Sequence, residues 1–288
     1  MLAAMSDDVR YSPDLYRGTA EYYDRFRLSY PAAMISDLAR RTGTPGASSG
    51  ASSGRGRLLD LACGTGQLAF ALRGSFAEVW AVDQEPGMVA VVAAKAASGD
   101  GAPLVRPVVA SAQELDAPPS HFSVVVIGNA FHRLPRDLVA SRVHGWLEPG
   151  GFLALCWSSG TQAGPRDWQV AFGALLRRWT EALGGGDRVP ANWDQPRRER
   201  PDASVLSGAG FELSGRSEFL VEHRWTLPEL AGFARTLSVL PAAALAERAA
   251  DFDNSLAAEL GPYARDGRLA ETVSFACELA VKGPSVAA

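Results

Sequence analysis

The amino-acid sequence predicts an α/β fold: a doubly wound sheet of about seven strands, mostly parallel, with an antiparallel last strand and a helical lid and cap. From residue 58, short β-branched or aliphatic runs alternate with helical stretches, which is typical of βαβ units. The connections between the first five runs are short. Two late runs have no full crossover helix between them and the sheet, which indicates an antiparallel ending.

The individual elements follow from the periodicity of apolar residues. Five parallel strands are predicted at 57–62, 77–83, 104–110, 122–128 and 151–157. Helices fall between them, near 66–73, 86–97 and 135–146. The later part of the chain predicts helices at 202–209, 228–237 and 242–260, and two further strands at 211–226 and 271–283.

The chain divides into a core and helical additions. Residues 1–42 are predicted as an N-terminal helical lid, and 58–160 as the ligand-binding core. Between them, residues 43–57 repeat Gly-Ala-Ser-Ser-Gly, so a flexible loop is expected. Helical cap insertions are expected at 161–210 and 227–262. One apolar stripe along a predicted helix supports the cap. Its aromatic residues are expected to form the core of the cap more than a cage around a substrate. The stripe consists of Trp168, Phe172, Leu175, Leu176, Trp179 and Leu183.

Composition and charge narrow the class of protein. The 288 residues are 47% apolar and 21% charged, with no apolar run near the roughly 18 to 20 residues of a membrane span. Acidic residues near the N-terminus argue against a signal peptide, and three widely spaced cysteines fit reduced thiols, so a cytoplasmic protein is expected. A net charge of −4 argues against a nucleic-acid partner, although "RRER" at 197–200 forms a local basic patch. No feature indicates an oligomeric state.

The stretch "LLDLACGTGQLAFAL" at 58–72 predicts a strand, a glycine turn and a helix. This arrangement directs backbone N–H groups and a helix N-terminus to the carboxyl end of the first strand, where open α/β sheets bind ligands. Gly64 and Gly66 allow a ligand close to the backbone, and Asp83, 19 residues after Gly64, could accept both ribose hydroxyl protons. The spacing Gly64-x-Gly66-x-x-Ala69 also fits a dinucleotide, so NAD remains an alternative at this point.

Asp60 favours a different adenosine cofactor. Its carboxylate stands at the end of the first strand, where it would repel a pyrophosphate but could anchor an amino group. The stretch "ASAQEL" at 110–115 follows the third strand, where an adenine edge would lie, and "LEPGGFLAL" at 147–155 forms a Pro-Gly-Gly turn before the fifth strand. A dinucleotide-binding fold has a second mononucleotide-binding half with parallel strands, and the predicted antiparallel ending differs from it.

On these residues the chain resembles the class I S-adenosylmethionine-dependent methyltransferases, in the small-molecule branch that includes the ubiquinone and menaquinone enzymes. The resemblance implies a Rossmann-like fold and covers residues 16–157 well, and the remainder loosely. The stretch "AEYYDRFRLSYP" at 20–31 resembles the family's helical lid, with Leu28 in place of a usual proline. The matching motifs are "LLDLACGTGQLAFAL", "VWAVDQEPGM" at 79–88, "ASAQEL", "FSVVVIGNAFHRL" at 122–134 and "LEPGGFLAL".

The resemblance implies roles for individual residues. Asp60, Gly64 and Gly66 would hold the methionine half of the cofactor, Asp83 the ribose, and Gln84 the adenosine. Other residues implied at the cofactor are Ala62, Met88, Ser111, Ala112, Gln113 and Asn129. Met88 could equally be a core residue. Relatives often have Asp at the position of Ser111, which binds an adenine amino group only weakly, so Ala112 and Gln113 could replace that contact.

Methyl transfer is an in-line displacement in which positioning supplies most of the rate, so dedicated catalytic groups are few. His132, in "GNAFHRL", is the candidate general base; a pocket wall and an ordinary loop histidine are the alternatives. Tyr23 and Arg27, one helical turn apart, could close over cofactor or substrate, or lie on a solvated helix. Trp157 is expected to line the acceptor pocket. The other histidines are scattered, so no metal site is expected.

The predicted function is methyl transfer from S-adenosylmethionine to a hydroxyl or amine of a partly apolar small molecule, such as a natural product. "GNAF" at 128–131 lacks the double proline of amino-methylating enzymes that act on DNA and RNA. Two alternatives remain. The same cofactor could serve a non-methylating reaction such as cyclisation, or the protein could be an NAD-dependent oxidoreductase.

Overall fold

The computed structural model describes residues 11, 15–43, 56–98, 105–185, 188–190 and 192–283. Most of the predicted glycine- and serine-rich loop, residues 44–55, lies outside the described residues.

A seven-stranded sheet forms the centre of the molecule, in the order β3-β2-β1-β4-β5-β7-β6. Its strands are β1 (Arg57–Leu61), β2 (Glu78–Asp83), β3 (Val105–Val109), β4 (Phe122–Gly128), β5 (Leu147–Ser158), β6 (Phe211–Thr226) and β7 (Arg268–Lys282). Strands β1 to β5 pair in parallel, and β7 runs antiparallel to both β5 and β6. The predicted Rossmann-like sheet with an antiparallel last strand is therefore confirmed.

Helices cover the sheet and extend beyond it. They are α1 (Ala20–Phe26), α2 (Ala32–Arg41), α3 (Gln67–Leu72), α4 (Pro86–Ala97), α5 (Arg136–Trp146), α6 (Asp167–Ala182), α7 (Gln195–Glu199), α8 (Asp202–Gly208), α9 (Leu227–Ala234), α10 (Ala242–Leu245) and α11 (Ala249–Leu260). The single helix predicted over 242–260 is interrupted at Ala246, which has a positive φ of 42°. The N-terminal helical stretch is likewise divided, because the backbone is extended at Arg27 and at Pro31.

The sheet separates two apolar cores. Leu59 and Val125 belong to the core on one face, and Leu58 and Val124 to the core on the other. This arrangement explains why the central strands are continuously apolar, since successive side chains of a strand point to opposite faces. Asp60 is the exception in β1, because it is a charged residue that is only 1% exposed.

A third apolar core lies within the helices after β5. The predicted stripe of α6 is buried there against α9 and α11, with Phe172 and Phe252 fully enclosed. The buried carboxylate of Glu271 in β7 joins this core to the sheet, since it accepts hydrogen bonds from Thr161, Gln169 and Trp225. These bonds hold α6 and the β6–β7 pair in one fixed arrangement beside the carboxyl ends of the parallel strands.

No helix in the described part of the chain has the length and apolar character needed to cross a membrane.

Candidate cofactor and acceptor site

A cavity of about 750 Å³ opens at the carboxyl ends of the parallel strands. Its size lies within the roughly 300–1,000 Å³ of small-molecule sites. The structure places many of the sequence-predicted residues in its wall: Tyr23, Arg27, Ala62, Gly64, Asp83, Gln84, Met88, Ala112, Gln113, Asn129 and His132. Four predicted residues are not part of the described wall: Asp60, Gly66, Ser111 and Trp157.

The glycine turn between β1 and α3 leaves little space for side chains at its two glycines. Gly64 and Gly66 both have positive φ, at 55° and 81°. A Cβ at Gly64 would lie 3.2 Å from the Tyr23 ring, and one at Gly66 would lie 3.0 Å from the Phe70 ring. Ala62 also adopts a left-handed φ of 56°, which is uncommon for a residue with a side chain. The turn therefore needs glycine at these two positions, and Gly64 is part of the cavity wall.

Asp83, the last residue of β2, is held by the backbone on both carboxylate oxygens. Oδ2 accepts the Gly64 N–H at 2.8 Å, and Oδ1 accepts the Glu85 N–H at 2.9 Å. Burial raises the pKa of Asp83, and these N–H groups act in the opposite direction. Each oxygen retains a second lone pair, so the carboxylate can accept protons from two adjacent hydroxyls at the cavity wall.

Asp60 lies beneath the turn. Its Oδ2 accepts the Ala69 N–H of α3 at 2.8 Å, and Asp60 is not among the residues of the described wall. Burial raises the pKa of Asp60 to about 7, and the nearby Asp83 adds to the increase. A cationic ligand group near the turn would therefore favour the ionised carboxylate.

One side of the cavity is formed at the ends of β2 and β3. The residues that line it are Gln84, Ala112 and Gln113. Met88 also lies in the wall, and its side chain is largely buried, with 2% of its surface exposed. Ser111 is oriented elsewhere, because its hydroxyl donates to Glu114 at 2.8 Å.

Asn129 follows β4 with a left-handed φ of 53°. Its Oδ1 accepts the Ser158 N–H at 3.1 Å, and its Nδ2 donates to the Tyr30 hydroxyl at 3.2 Å. Asn129 thus joins the end of β4 to β5 and to the N-terminal segment while forming part of the cavity wall.

Helix α1 covers the glycine turn. The Arg27 guanidinium lies 5.0 Å from the centre of the Tyr23 ring and 5.3 Å from that of Phe233, and it donates to the Thr236 carbonyl at 3.0 Å. Its Nε is buried and has no hydrogen-bond partner within the part of the chain that the structure describes. Asp24 of α1 pairs with Lys95 of α4, which also donates to the Thr65 carbonyl. These contacts link α1, α4 and the turn.

His132 lies in the cavity wall with its ring centre 5.7 Å from that of Trp193. Burial lowers the pKa of His132 to about 4, and the neighbouring Arg197 contributes in the same direction. The imidazole is therefore neutral at pH 7. A neutral ring can accept a hydrogen bond, but a pKa this low makes it a weak proton acceptor.

Residues 58–151 match the model of a family described as a methyltransferase domain. The chain carries a methyltransferase domain. It is of the class I, S-adenosylmethionine-dependent type, which agrees with the mixed seven-stranded sheet and selects S-adenosylmethionine over NAD as the cofactor. Among curated proteins, no relative matches the chain.

Solved structures share the fold of the methyltransferase at low sequence identity. A protein from Anaeromyxobacter dehalogenans, assigned as a type II methyltransferase, is 21% identical with a TM-score of 0.55; the match covers 90% of this chain and 98% of that one. An assigned methyltransferase from Bacillus halodurans is 18% identical with a TM-score of 0.51, covering 87% and 99%. The [4+2]-cyclase SpnF is 20% identical with a TM-score of 0.50, covering 90% and 84%.

We expect His132 of the methyltransferase to remain uncharged down to about pH 5, because burial opposes its protonation. NMR titration of the imidazole Cε1 proton from pH 8 to pH 4 measures this, with His132→Gln identifying the resonance. A midpoint near 6.5, the ordinary value for histidine, would contradict the buried, desolvated environment.

Trp157 is in β5, but its ring lies between two arginines rather than in the cavity. The guanidinium of Arg216 is 4.9 Å from the ring centre, and that of Arg197 is 5.7 Å away. The next residue, Ser158, is part of the wall. Alternation along the strand accounts for the difference, since adjacent residues face opposite sides of the sheet.

Several wall residues of the methyltransferase are not predicted from the sequence. They are contributed by the N-terminal segment, by the residue after His132, and by the helical additions, and include Tyr11, Tyr16, Arg133, Val189, Trp193, Phe233 and Leu237. Arg133 directly follows the motif histidine, which is a usable signal. Trp193 and Phe233 reach the cavity through tertiary packing, and no local pattern distinguishes them from other apolar residues.

Proposed function

We propose that the methyltransferase transfers the methyl group to a hydroxyl or amine of a small, partly apolar acceptor held beneath the helices after β5. The supporting observation is that one cavity of about 750 Å³ includes both the Asp83 side and a wall of Trp193, Phe233 and Leu237. Such a cavity can hold a cofactor and an acceptor together. We assign α1 with its flanking segment as the lid and α6 with α9 to α11 as the cap.

We assign the cofactor to the side of the cavity formed by β1, β2 and β3. Asp83 would accept the ribose hydroxyls, and Gln84, Met88, Ala112 and Gln113 would contact the adenosine. The backbone of Gly64 and Ala62 would face the methionine half. The residues fit the cofactor, because a carboxylate with free lone pairs and an arginine Nε without a partner both lie at the cavity.

The methionine half would meet two charged groups of the chain. Arg27, which stacks on Tyr23 above the turn, would bind the carboxylate through its unsatisfied Nε. Asp60 would act on the amino group from beneath the turn, through its charge and by fixing α3 at Ala69. Its raised pKa would then decrease as the cation binds.

S-adenosylmethionine supplies an electrophilic methyl group when it is bound. The residues of the chain would position the acceptor atom in line with that group and exclude water. We assign His132 as a wall residue whose neutral ring accepts a hydrogen bond from the acceptor, in preference to a general base, because its pKa of about 4 gives little driving force for proton removal.

The first test separates methyl transfer from the alternatives. Binding of S-adenosylhomocysteine at about 100 times its dissociation constant should stabilise the protein by roughly 2.7 kcal/mol in a thermal shift, whereas NAD should not. A screen of small hydroxyl- and amine-bearing acceptors with methyl-labelled S-adenosylmethionine should give labelled product. Conversion without transfer of label would contradict methyl transfer and favour a cyclisation, a reaction named for one protein of the same fold.

A further inference from the structure

One charged side chain in the cavity wall has no role in the proposed cofactor site. Arg133 follows His132 at the end of β4, and its guanidinium lies 5.1 Å from the centre of the Tyr16 ring. In the described part of the chain it makes no ion pair and its guanidinium donates no hydrogen bond, although burial lowers its pKa to about 10. A desolvated guanidinium with unused donors is costly unless an anion binds to it.

A second polar group without a partner lies near Arg133. Among the described residues the buried Tyr11 hydroxyl has no hydrogen-bond partner, and it interacts electrostatically with Arg133. Asp194 is the acidic group that also acts on Tyr11, but its carboxylate pairs with Arg198 at 2.6 Å. Two hydrogen-bond donors at the cavity, Arg133 and Tyr11, are thus unoccupied.

The position of Arg133 after β4 assigns it to the acceptor side of the cavity. Strands β2 and β3, which carry the proposed adenosine contacts, lie on one side of β1, and β4 and β5 lie on the other. Arg133 lies in the short turn of helix (Phe131–Arg133) that follows β4, and it is adjacent in sequence to His132, whose ring contacts Trp193. Arg27, by contrast, stacks on Tyr23, which covers the glycine turn.

The charges of the wall agree with this assignment. The carboxylate and guanidinium side chains in the described wall are those of Asp83, Arg27 and Arg133. The first two have proposed partners in the ribose and in the cofactor carboxylate, which leaves the Arg133 charge without a counterion. The sulfonium of the cofactor adds a further positive charge to the cavity, and an anionic group on the acceptor would compensate both.

We propose that the acceptor carries an anionic group, a carboxylate or a phosphate, which binds to the guanidinium of Arg133 and the hydroxyl of Tyr11. This inference rests on the proposed function, because it assigns the acceptor class for the same cavity. Trp193 and Phe233 would contact the apolar part of the acceptor, so the substrate class is a partly apolar organic acid or phosphate monoester. Charge-assisted hydrogen bonds of this kind are the strong ones in binding sites.

The test uses the full chain saturated with S-adenosylhomocysteine and titrates it with matched probes. Benzoate is compared with benzamide, and phenyl phosphate with phenol, so the pairs distinguish a carboxylate from a phosphate. We expect at least one anion to bind about tenfold more tightly than its neutral partner to the wild-type protein. Arg133→Gln should remove that preference and Arg133→Lys should retain part of it. Arg178→Gln, which removes an exposed arginine of α6, should retain all of it.

Two results would overturn the inference. The first is an absence of anion preference in the wild-type protein, which requires no variant to fold. The second is weaker binding of S-adenosylhomocysteine in Arg133→Gln with the probe preference intact, since Arg133 would then serve the cofactor. Failure of the proposed function itself differs from both, because the wild-type protein would then bind no S-adenosylhomocysteine or would give no methyl-labelled product, whatever its preference among the probes.

Discussion

Asp83→Ala should weaken binding of S-adenosylhomocysteine at least about 100-fold. The substitution removes a charged acceptor for two ribose hydroxyls, and hydrogen bonds to charged groups contribute about 1.5–3 kcal/mol each, where 1.4 kcal/mol is tenfold. It also leaves the N–H groups of Gly64 and Glu85 without their acceptor, so the glycine turn loses its link to β2. Isothermal titration calorimetry measures the change in affinity.

A matched control for Asp83 is Glu78→Gln, at the opposite end of the same strand. The Glu78 carboxylate accepts from the Trp80 indole at 2.7 Å, far along β2 from the cavity wall, so affinity for S-adenosylhomocysteine should be unchanged. An Asp83→Ala protein that is folded and binds with wild-type affinity would contradict the assignment of the ribose site.

Asp60→Asn should make the protein without ligand more stable above pH 7 while it weakens binding of S-adenosylhomocysteine. The pKa of Asp60 is raised from 3.8 to about 7 by burial, so the folded state binds a proton that the unfolded state releases. This group's effect on stability is therefore most favourable below about pH 4, declines as pH increases to about 7, and is constant above that. Its magnitude is at most roughly 4 kcal/mol, from about three pKa units.

Asparagine keeps an acceptor oxygen for the Ala69 N–H and avoids the cost of a buried charge, although its own amide N–H groups need partners. The measurements are thermal unfolding at pH 5 and pH 8, and calorimetric affinity from pH 6 to pH 8. In the wild-type protein, affinity should increase as Asp60 ionises, because a carboxylate attracts the cofactor's amino group. Equal affinities for the two proteins across this range would exclude Asp60 from the cofactor's charge recognition.

The positions of several strands along the chain follow closely from the sequence pattern. The predicted strands at 122–128 and 211–226 coincide with β4 and β6. The continuous apolar run of β4 and the alternation along β6 both fit the two-residue period of a strand better than the 3.6-residue period of a helix. Ends of helices are less well predicted. The 242–260 helix divides at Ala246 through a backbone conformation that alanine does not favour, so local propensity gives no indication of it.

The residues that we assign to the cofactor are also largely predictable. The glycine turn directly follows β1, and Asp83 is the last residue of β2. Because these two strands pair in parallel, their carboxyl ends lie at the same edge of the sheet. Ser111 is not in the described cavity wall, because its hydroxyl is oriented by its hydrogen bond to Glu114. Trp157 is not in the wall because its side chain lies on the other face of β5, beside Arg216.

The class of fold, the positions of the strands and the cofactor all follow from the sequence alone, because periodicity and motifs are local patterns of residues. Only the folded chain shows that Asp60 lies beneath the turn and that burial makes His132 a weak base. It also shows that Arg133 has no counterion among the described residues and lies near Tyr11. Burial and charge environment are set by segments distant in sequence, which meet only when the chain folds.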